Sequence, residues 1–208
     1  MRTLVLCGDK WHPVHIVREG LSPLEASGLE FDWLEDTGHL RARQIAPYPL
    51  MVLCKANQVS ETDDRPWMTA EIEQAMLAYV RRGNGLLVIH AGSAGYEQWP
   101  GLRGLMGGAF IEHPEQCPVT VEPQAAHPLT TGCAPFTLTD EHYFMALDDP
   151  QADVFLTATS EHGSQPAGWT RLEGEGRVGV LTPSHHLAGW LHPSFQKLLA
   201  NALAWCSK

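Results

Sequence analysis

Four short segments in the first half of the chain are rich in hydrophobic residues. Residues 3–7, 50–54 and 86–89 are uninterrupted apolar runs, which are typical of strands buried on both faces of a sheet. Residues 29–35 mix apolar and acidic positions and predict one more strand between the first two runs. These segments therefore predict several strands separated by other elements.

Hydrophobic positions between these strands recur at helical spacing. Pro13 precedes a stretch that carries Val14, Val17 and Leu21, which predicts a helix that opens at the proline. Residues 69–82 give the clearest helix, since their apolar side chains recur at i, i+4, i+7 and i+8. Acidic residues near its start and arginines near its end suit the helix dipole.

The second half of the chain is less regular. Residues 119–122 alternate between apolar and polar positions and predict an edge strand. Residues 154–158 and 177–182 predict two further strands, and Pro193 opens a last helix.

Strands that alternate with helices predict an α/β fold with a mostly parallel sheet covered by helices. We expect a single domain over residues 1–208, in which the stretches near 100–108 and 163–168, rich in proline and glycine, are loops. In such sheets ligands bind beyond the carboxyl ends of the strands, so functional residues are expected there.

The charge and the cysteines limit the class of protein. The chain of 208 residues has 14 basic and 24 acidic residues, a net charge of −10, which argues against nucleic acid or an anionic membrane as a partner. No segment is long and apolar enough to predict a membrane-spanning helix. The five scattered cysteines fit neither a disulfide framework nor a zinc ribbon, so we expect a cytoplasmic protein.

Histidines and other polar residues follow several of the predicted strands. The segment 8–12 follows the first strand, 55–57 the third, His90 the fourth and 184–186 the late strand. Histidine suits metal ligation and proton transfer near neutral pH. The carboxyl edge of the sheet is therefore the expected place of the chemistry.

His90 lies within VIHAGSAG, a strand followed by small residues that resembles a nucleophile elbow. A hydrolase would place serine at this turn and a glutaminase cysteine, so glutaminase activity is not expected. Cys7 and Cys54 lie inside apolar runs and are interpreted as core residues. A histidine that only caps the strand is the structural alternative for His90.

Several segments, spread over most of the chain, resemble the ThuA-like (trehalose-utilisation) family in their order and spacing. They are GNGLLVIHAG (83–92), Trp99 with LRGLMGGAFIEHP (102–114), AHPLTTG (126–132), DEHYFM (140–145) and GRVGVLTPSHHLAGWLHPSFQKLLANALAW (176–205). The resemblance implies a class I glutamine amidotransferase-like fold, a flavodoxin-like three-layer α/β sandwich with a mostly parallel central sheet. It also implies a polar cleft over the carboxyl ends of the strands.

The same resemblance implies which side chains line that cleft. The positions that match the family's recurrent polar residues are His90, His113, Glu141 and His185, with Asp140 and His192 beside them. The family's N-terminal histidine corresponds to either His12 or His15. Where the family has Gly-His after the late strand, this chain has Ser184-His185.

Two kinds of chemistry suit these residues. In the first, His90, His113, His185 and Glu141 bind zinc or a similar divalent ion, which would polarise a sugar carbonyl or activate a water molecule. In the second, no metal is bound: His90 and His185 transfer protons, and Glu141 beside Asp140 supplies a carboxylate.

Aromatic residues indicate the ligand. Trp11, Trp99 and Trp190 lie in loops near the predicted cleft, and indole faces stack on the C–H faces of sugars, although core packing is the alternative. His192 stands at a helix start, where the positive end of the helix keeps an imidazole neutral. We therefore expect Trp11, Trp99, Trp190 and His192 to bind substrate.

These observations predict an enzyme of carbohydrate catabolism that acts on a sugar or keto-sugar derivative by hydrolysis, elimination or isomerisation. No nucleotide cofactor is expected, because the glycine-rich segments match neither a P-loop nor a dinucleotide-binding pattern. The alternative is a non-catalytic sugar-binding or interaction module on the same fold. A homo-oligomer is compatible with both. An enzyme requires that the named histidines and Glu141 converge on one point.

Overall fold

The computed structural model describes residues 1–124 and 127–208. Its strands are β1 (Arg2–Cys7), β2 (Glu30–Leu34), β3 (Leu50–Cys54), β4 (Gly85–Ile89), β5 (Gly108–Glu112), β6 (Cys117–Pro123), β7 (Phe136–Asp140), β8 (Phe144–Leu147), β9 (Asp153–Ser160), β10 (Gly163–Glu173) and β11 (Gly176–Leu181). Its α-helices are α1 (Val14–Leu21), α2 (Ala42–Ile45), α3 (Ala70–Arg81), α4 (Pro100–Met106), α5 (Leu187–Trp190) and α6 (Pro193–Cys206). Short 3₁₀ turns occupy Ser22–Ser27, His90–Ser93 and Pro128–Thr130.

Nine strands form one sheet in the order β2-β1-β3-β4-β11-β10-β9-β6-β7. The pairings from β2 to β11 are parallel, and those from β11 to β7 are antiparallel. The prediction of a mostly parallel sheet therefore holds for only half of the neighbouring pairs. Tight turns join β9 to β10 and β10 to β11, and such short connections allow only antiparallel pairing.

The predicted strands and helices of the first half are all present, and the apolar runs are buried on both faces. In β1 and β3, Val5 and Val52 belong to one hydrophobic cluster, whereas Leu6 and Leu53 belong to the cluster on the opposite face. Residues of α1 and α6 lie in the first cluster and residues of α3 and α4 in the second. Helices thus cover both faces of the parallel half.

Three predictions for the second half are wrong. The stretch near 100–108 contains α4, because Pro100 occupies the first helical turn, where its missing N–H costs nothing. The stretch 163–168 opens β10, whose register shifts between Pro166 and Gly168 absorb the irregular residues as a bulge. The predicted edge strand, β6, lies inside the sheet between β9 and β7.

A separate ribbon of β5 and β8 completes the fold. His113 directly follows β5, and Glu141 lies between β7 and β8. The parallel strands β1, β3, β4 and β11 end at one edge of the main sheet. No described helix is long and apolar enough to cross a lipid bilayer.

Candidate functional site

His90, Glu141 and His185 meet at the carboxyl edge of the sheet. Oε2 of Glu141 lies 3.3 Å from Nε2 of His90 and 3.2 Å from Nδ1 of His185. The two histidine nitrogens are themselves 3.2 Å apart. These residues follow β4, β7 and β11, so three strand ends place three donor atoms around one point.

The backbone at His90 has the sharp turn expected of an elbow. Its φ of +47° is uncommon for a residue other than glycine. Nδ1 lies 2.7 Å from the carbonyl oxygen of Thr182, which can only accept a hydrogen bond, so Nδ1 donates. In the neutral ring, Nε2 therefore presents a lone pair towards Glu141 and His185. The ring also stacks on Tyr143, with centroids 4.2 Å apart.

Charge is distributed unequally between Glu141 and His185. Burial alone would raise the pKa of Glu141, but the hydrogen bond from His185, together with that from His90 when its ring is protonated, outweighs burial and holds the pKa well below its usual range. Burial alone would lower the pKa of His185, yet Glu141 more than compensates and the pKa is raised. Glu141 is therefore a carboxylate, held in an ion pair whenever His185 is protonated.

Asp140 is buried and holds the backbone of the site, and its side chain is not among those that line the cleft. Its buried carboxylate accepts hydrogen bonds from the backbone N–H groups of Ser184 (2.6 Å), His185 (2.9 Å) and Glu141 (3.0 Å). It thus ties the end of β7 to the loop after β11. Ser184 has a φ of +86°, a left-handed conformation that glycine adopts more readily than serine.

The structure places His12, and not His15, beside His90, Glu141 and His185. A ring nitrogen of His12 and the donor atoms of His90, Glu141 and His185 all lie within 4.8 Å of one another. His15 is exposed on α1. Asp9, which sequence reasoning did not single out, is buried and lies 2.8 Å from Nδ1 of His12.

Burial and charge act in opposite directions on this pair. Burial alone would raise the pKa of Asp9, but hydrogen bonds from His12 and from backbone N–H groups lower it. Burial, His90 and His185 lower the pKa of His12 although Asp9 raises it, so the ring is neutral near pH 7. A strand-end aspartate three residues before a histidine was the available sequence signal.

His113 stands at the rim of the group. Its Nε2 is 3.6 Å from Oε2 of Glu141, and its Nδ1 donates to the carbonyl oxygen of Pro114 at 2.8 Å. Its side chain remains about one third exposed (35%). The structure thus brings His113 to Glu141, but at a greater distance than His90 or His185.

A cleft of about 580 Å³ opens above these side chains. Its lining residues are Trp11, His12, Ala56, Gln58, Ala94, Phe110, His113, Glu141, Tyr143 and His185. Trp11 lies at the mouth and is 62% exposed. Phe110 of β5 and Tyr143, which directly precedes β8, add aromatic surface that the sequence reasoning did not assign to the site.

Three residues predicted to bind substrate do not line this cleft. Trp99 precedes α4 and packs against the hydrophobic cluster on that face. Trp190 is buried in the core and lies against Gly20 of α1. His192 caps α6 through Nδ1, which accepts from the N–H of Ser194 at 3.2 Å. Of the four predicted substrate-binding residues, Trp11 alone lines the cleft.

Comparison with known proteins identifies relatives of this fold. The model of the ThuA family, described as trehalose utilisation, matches residues 8–206. Its matched range includes AHPLTTG (126–132), whose first residue lies outside the described part of the structure. The search of curated proteins gives no match.

Solved structures with the same fold cover nearly the whole chain. A ThuA-like protein from Parabacteroides merdae has a TM-score of 0.80 at 20% identity, over 100% of this chain and 90% of that one. One from Bacteroides uniformis has a TM-score of 0.75 at 19% identity, over 99% and 91%. A protein from Salmonella typhimurium, described as cytoplasmic, has a TM-score of 0.71 at 17% identity, over 100% and 97%.

Proposed function

The chain belongs to the ThuA family, and from this premise we propose that it is a metal-dependent enzyme acting on a sugar or keto-sugar derivative. The reaction is a hydrolysis, an elimination or an isomerisation. The observation that carries the proposal is the convergence of His90, Glu141 and His185, whose donor atoms lie 3.2–3.3 Å apart at the floor of a cleft. The family description, trehalose utilisation, supports carbohydrate as the substrate class.

The donor set suits a divalent transition-metal ion. Nitrogen and oxygen ligands lie about 2.1 Å from zinc, which places neighbouring donors of a tetrahedral site about 3.4 Å apart. The three separations here are close to that value without any rearrangement. Two imidazoles and a carboxylate also leave coordination positions open for substrate or water. A bound ion would polarise a carbonyl group or lower the pKa of a water molecule.

The residues themselves have defined roles in this proposal. The hydrogen bond to Thr182 fixes the His90 ring so that Nε2 faces the centre. Glu141 supplies negative charge, and Asp140 holds the backbone of both Glu141 and His185. His113, about one third exposed at the rim, contacts in this proposal a substrate group that reaches Glu141.

The lining of the cleft supports an uncharged substrate. Its described lining residues include neither lysine nor arginine, which a sugar phosphate would require. Trp11, Phe110 and Tyr143 offer flat apolar faces of the kind that stack on sugar rings. A volume of about 580 Å³ falls in the ordinary range of small-molecule sites.

Glutaminase activity is not part of this proposal. His90 occupies the elbow where that mechanism needs a cysteine thiolate. Cys7 and Cys54 are buried, and burial raises the pKa of both thiols, that of Cys7 to about 12.

The test of the centre is elemental analysis of protein purified without chelator or affinity tag. We expect near-stoichiometric zinc, manganese, iron or nickel in the wild type and its loss in Glu141→Gln and His90→Asn. Asparagine tolerates the positive φ of His90, so this change spares the backbone. His186→Ala, a neighbour whose ring contacts Gln116, is the matched control and should retain the metal.

Wild-type protein that contains no metal, and whose melting temperature no added divalent ion changes, would contradict the metal-dependent proposal. The metal-free version would then take its place, because the Glu141–His185 hydrogen bond already pairs a carboxylate with an imidazole.

The reaction type is tested by mass spectrometry on a panel of neutral sugars and keto-sugars. The products of hydrolysis together exceed the substrate by the mass of one water, those of elimination together equal the mass of the substrate, and isomerisation changes retention without changing mass. Trp11→Ala should weaken binding without lowering stability, since this side chain is 62% exposed. A sugar that binds through Trp11 but is never converted would favour the alternative, a sugar-binding module.

We also propose the wider setting of the protein. The parallel half has the order β2-β1-β3-β4-β11, which supports a flavodoxin-like three-layer core extended by the antiparallel strands within a single domain. Five free cysteines support a cytoplasmic location. We still expect that the protein binds neither a nucleotide cofactor, nor nucleic acid, nor a membrane. A homo-oligomer is compatible with this proposal.

A further inference from the structure

The turn after β1 is built around one buried carboxylate. Oδ1 of Asp9 accepts hydrogen bonds from the backbone N–H groups of Trp11 (2.9 Å) and His12 (3.1 Å). Oδ2 accepts from the N–H of Ala56, at the end of β3, at 2.9 Å. Asp9 is fully buried, so two strand ends are joined through a single side chain.

The same carboxylate orients the His12 ring. Nδ1 of His12 lies 2.8 Å from Oδ1 of Asp9, an oxygen that only accepts, so Nδ1 carries the proton. The other nitrogen, Nε2, then has a free lone pair. The ring stands edge-on to His90 and His185, with centroids 5.1 Å and 4.9 Å away.

Nε2 of His12 is buried and has no hydrogen-bond partner among the described residues. A buried polar atom without a partner carries a desolvation cost, so its retention in a fixed orientation requires an explanation. A ring nitrogen of His12 lies within 4.8 Å of the donor atoms of His90, Glu141 and His185, and Nδ1 is already bonded to Asp9. A ligand placed among these atoms would satisfy it.

We propose that Nε2 of His12 is a fourth metal ligand and that Asp9 is its positioning residue. The inference rests on the metal centre of the proposed function and completes it as a site of three histidines and one glutamate. An imidazole that donates one N–H to a carboxylate and ligates through its other nitrogen is a recurrent arrangement in metal sites, where the carboxylate fixes the tautomer and raises ligand basicity. Four protein ligands would fill a tetrahedral site, so substrate or water would bind as a fifth ligand from the cleft, which His12, Glu141 and His185 help to line.

The test uses Zn²⁺ and Co²⁺ as probes on metal-free full-length protein. Zinc affinity is measured by competition with a chromophoric chelator in the wild type, His12→Ala, Asp9→Asn and His15→Ala. Loss of a ligand should weaken zinc binding by about 100-fold or more. Loss of the orienting carboxylate should weaken it by about 10–100-fold. His15, exposed on α1, is the matched control and should leave the affinity unchanged.

The visible spectrum of the Co²⁺ form separates a ligand from a merely structural residue. Removal of His12 should change the position and intensity of the d–d bands, and added imidazole should restore them. Asp9 also holds the turn, so His12→Ala, which leaves every backbone contact of Asp9 in place, carries the test if Asp9→Asn does not fold.

The outcomes distinguish this inference from the proposal on which it rests. Wild type and His12→Ala that bind zinc equally and give the same Co²⁺ spectrum would overturn the fourth ligand while the centre of His90, Glu141 and His185 stands. Wild type that binds neither probe would overturn both.

Discussion

Oδ2 of Asp140 accepts a hydrogen bond from the backbone N–H of Ser184 at 2.6 Å. This bond joins the end of β7 to the residue that follows β11 by three positions, although the two residues are 44 apart in sequence. Because Glu141 and His185 are the next residues along each segment, the bond sets how close their side chains lie. The candidate site therefore depends on a buried aspartate outside the cleft.

Asp140→Ala should destabilise the protein strongly. Three backbone N–H groups, those of Ser184, His185 and Glu141, lose their acceptor in the folded state. Each unsatisfied buried donor costs about 1–3 kcal/mol, partly relieved by water, so we expect the free energy of unfolding to fall by about 2–4 kcal/mol in urea denaturation. Asp64→Ala, at a carboxylate 67% exposed, should change it by less than about 0.5 kcal/mol. Equal, small effects in both variants would refute this role for Asp140.

Ser184→Gly should stabilise the protein. The φ of +86° is strained for serine and relaxed for glycine, and the buried Ser184 hydroxyl has no hydrogen-bond partner among the described residues. Relief of the strain and of the unpaired hydroxyl exceeds the extra entropy of glycine in the unfolded chain, with a net gain of about 1 kcal/mol. Ser93→Gly is the contrasting variant, since its hydroxyl donates to the carbonyl of His90 at 2.8 Å and its loss should destabilise. A lower melting temperature for Ser184→Gly would contradict the prediction.

The sequence predicted where the candidate site lies better than it predicted which residues form the site. His90 and Glu141 are 51 positions apart, yet each follows a strand, and the rule that ligands bind at carboxyl ends brought them to one edge. His12 could not be separated from His15 in this way. The choice depends on a turn closed by the Asp9 carboxylate, which turns one ring into the cleft and leaves the other on α1.

The antiparallel half was the hardest part to predict. In β10, Gly163, Pro166 and Gly168 each predict a turn by local preference. They form a strand because β9 and β11 pair on either side and a bulge absorbs the proline. Trp190 shows the same limit: its position between two histidines suggested a ligand contact, whereas packing against Gly20 places it in the core. Pairing and packing between distant segments decide such cases, and local sequence does not encode them.

One cysteine in five should react with a thiol reagent before the others in the native protein. The four buried thiols are those of Cys7, Cys54, Cys117 and Cys206, and only Cys133 is partly exposed. Burial raises the pKa of Cys7 and Cys206 to about 12, so these two are neither accessible nor ionised at pH 8. Burial also raises the pKa of Cys133, but its accessibility should let DTNB at pH 8 label this one thiol before the other four, and all five after unfolding in guanidinium.

Cys133→Ser provides the control for this count. The rapid phase should disappear from the native protein, and the unfolded protein should show one thiol fewer. Rapid labelling that persists in this variant would mean that at least one of the four buried thiols becomes accessible on the timescale of the reaction.

Lys55 should make the free energy of unfolding vary with pH in the alkaline range. Its side chain is fully buried, and Nζ donates to the carbonyl oxygens of Glu35 (3.0 Å) and Val59 (2.8 Å). Burial lowers its pKa from 10.5 to about 8. Between these two values the unfolded chain holds a proton that the folded chain has released, so this group opposes folding fully below pH 8 and progressively less as the pH rises towards 10.5.

Lys55→Met should abolish this dependence. One pKa unit corresponds to about 1.4 kcal/mol, so the contribution of Lys55 should become about 2 kcal/mol more favourable between pH 7 and pH 10. Ionisation of buried tyrosines and cysteines lowers the free energy of unfolding over the same pH range in both proteins. The informative quantity is therefore the difference in that free energy between wild type and variant. Urea denaturation at the two pH values should show that difference shift by about 2 kcal/mol in favour of the wild type at pH 10. Lys10→Met, at a side chain 51% exposed, should show no such shift. A difference that stays constant with pH would mean that Lys55 titrates normally and that water reaches its ammonium group.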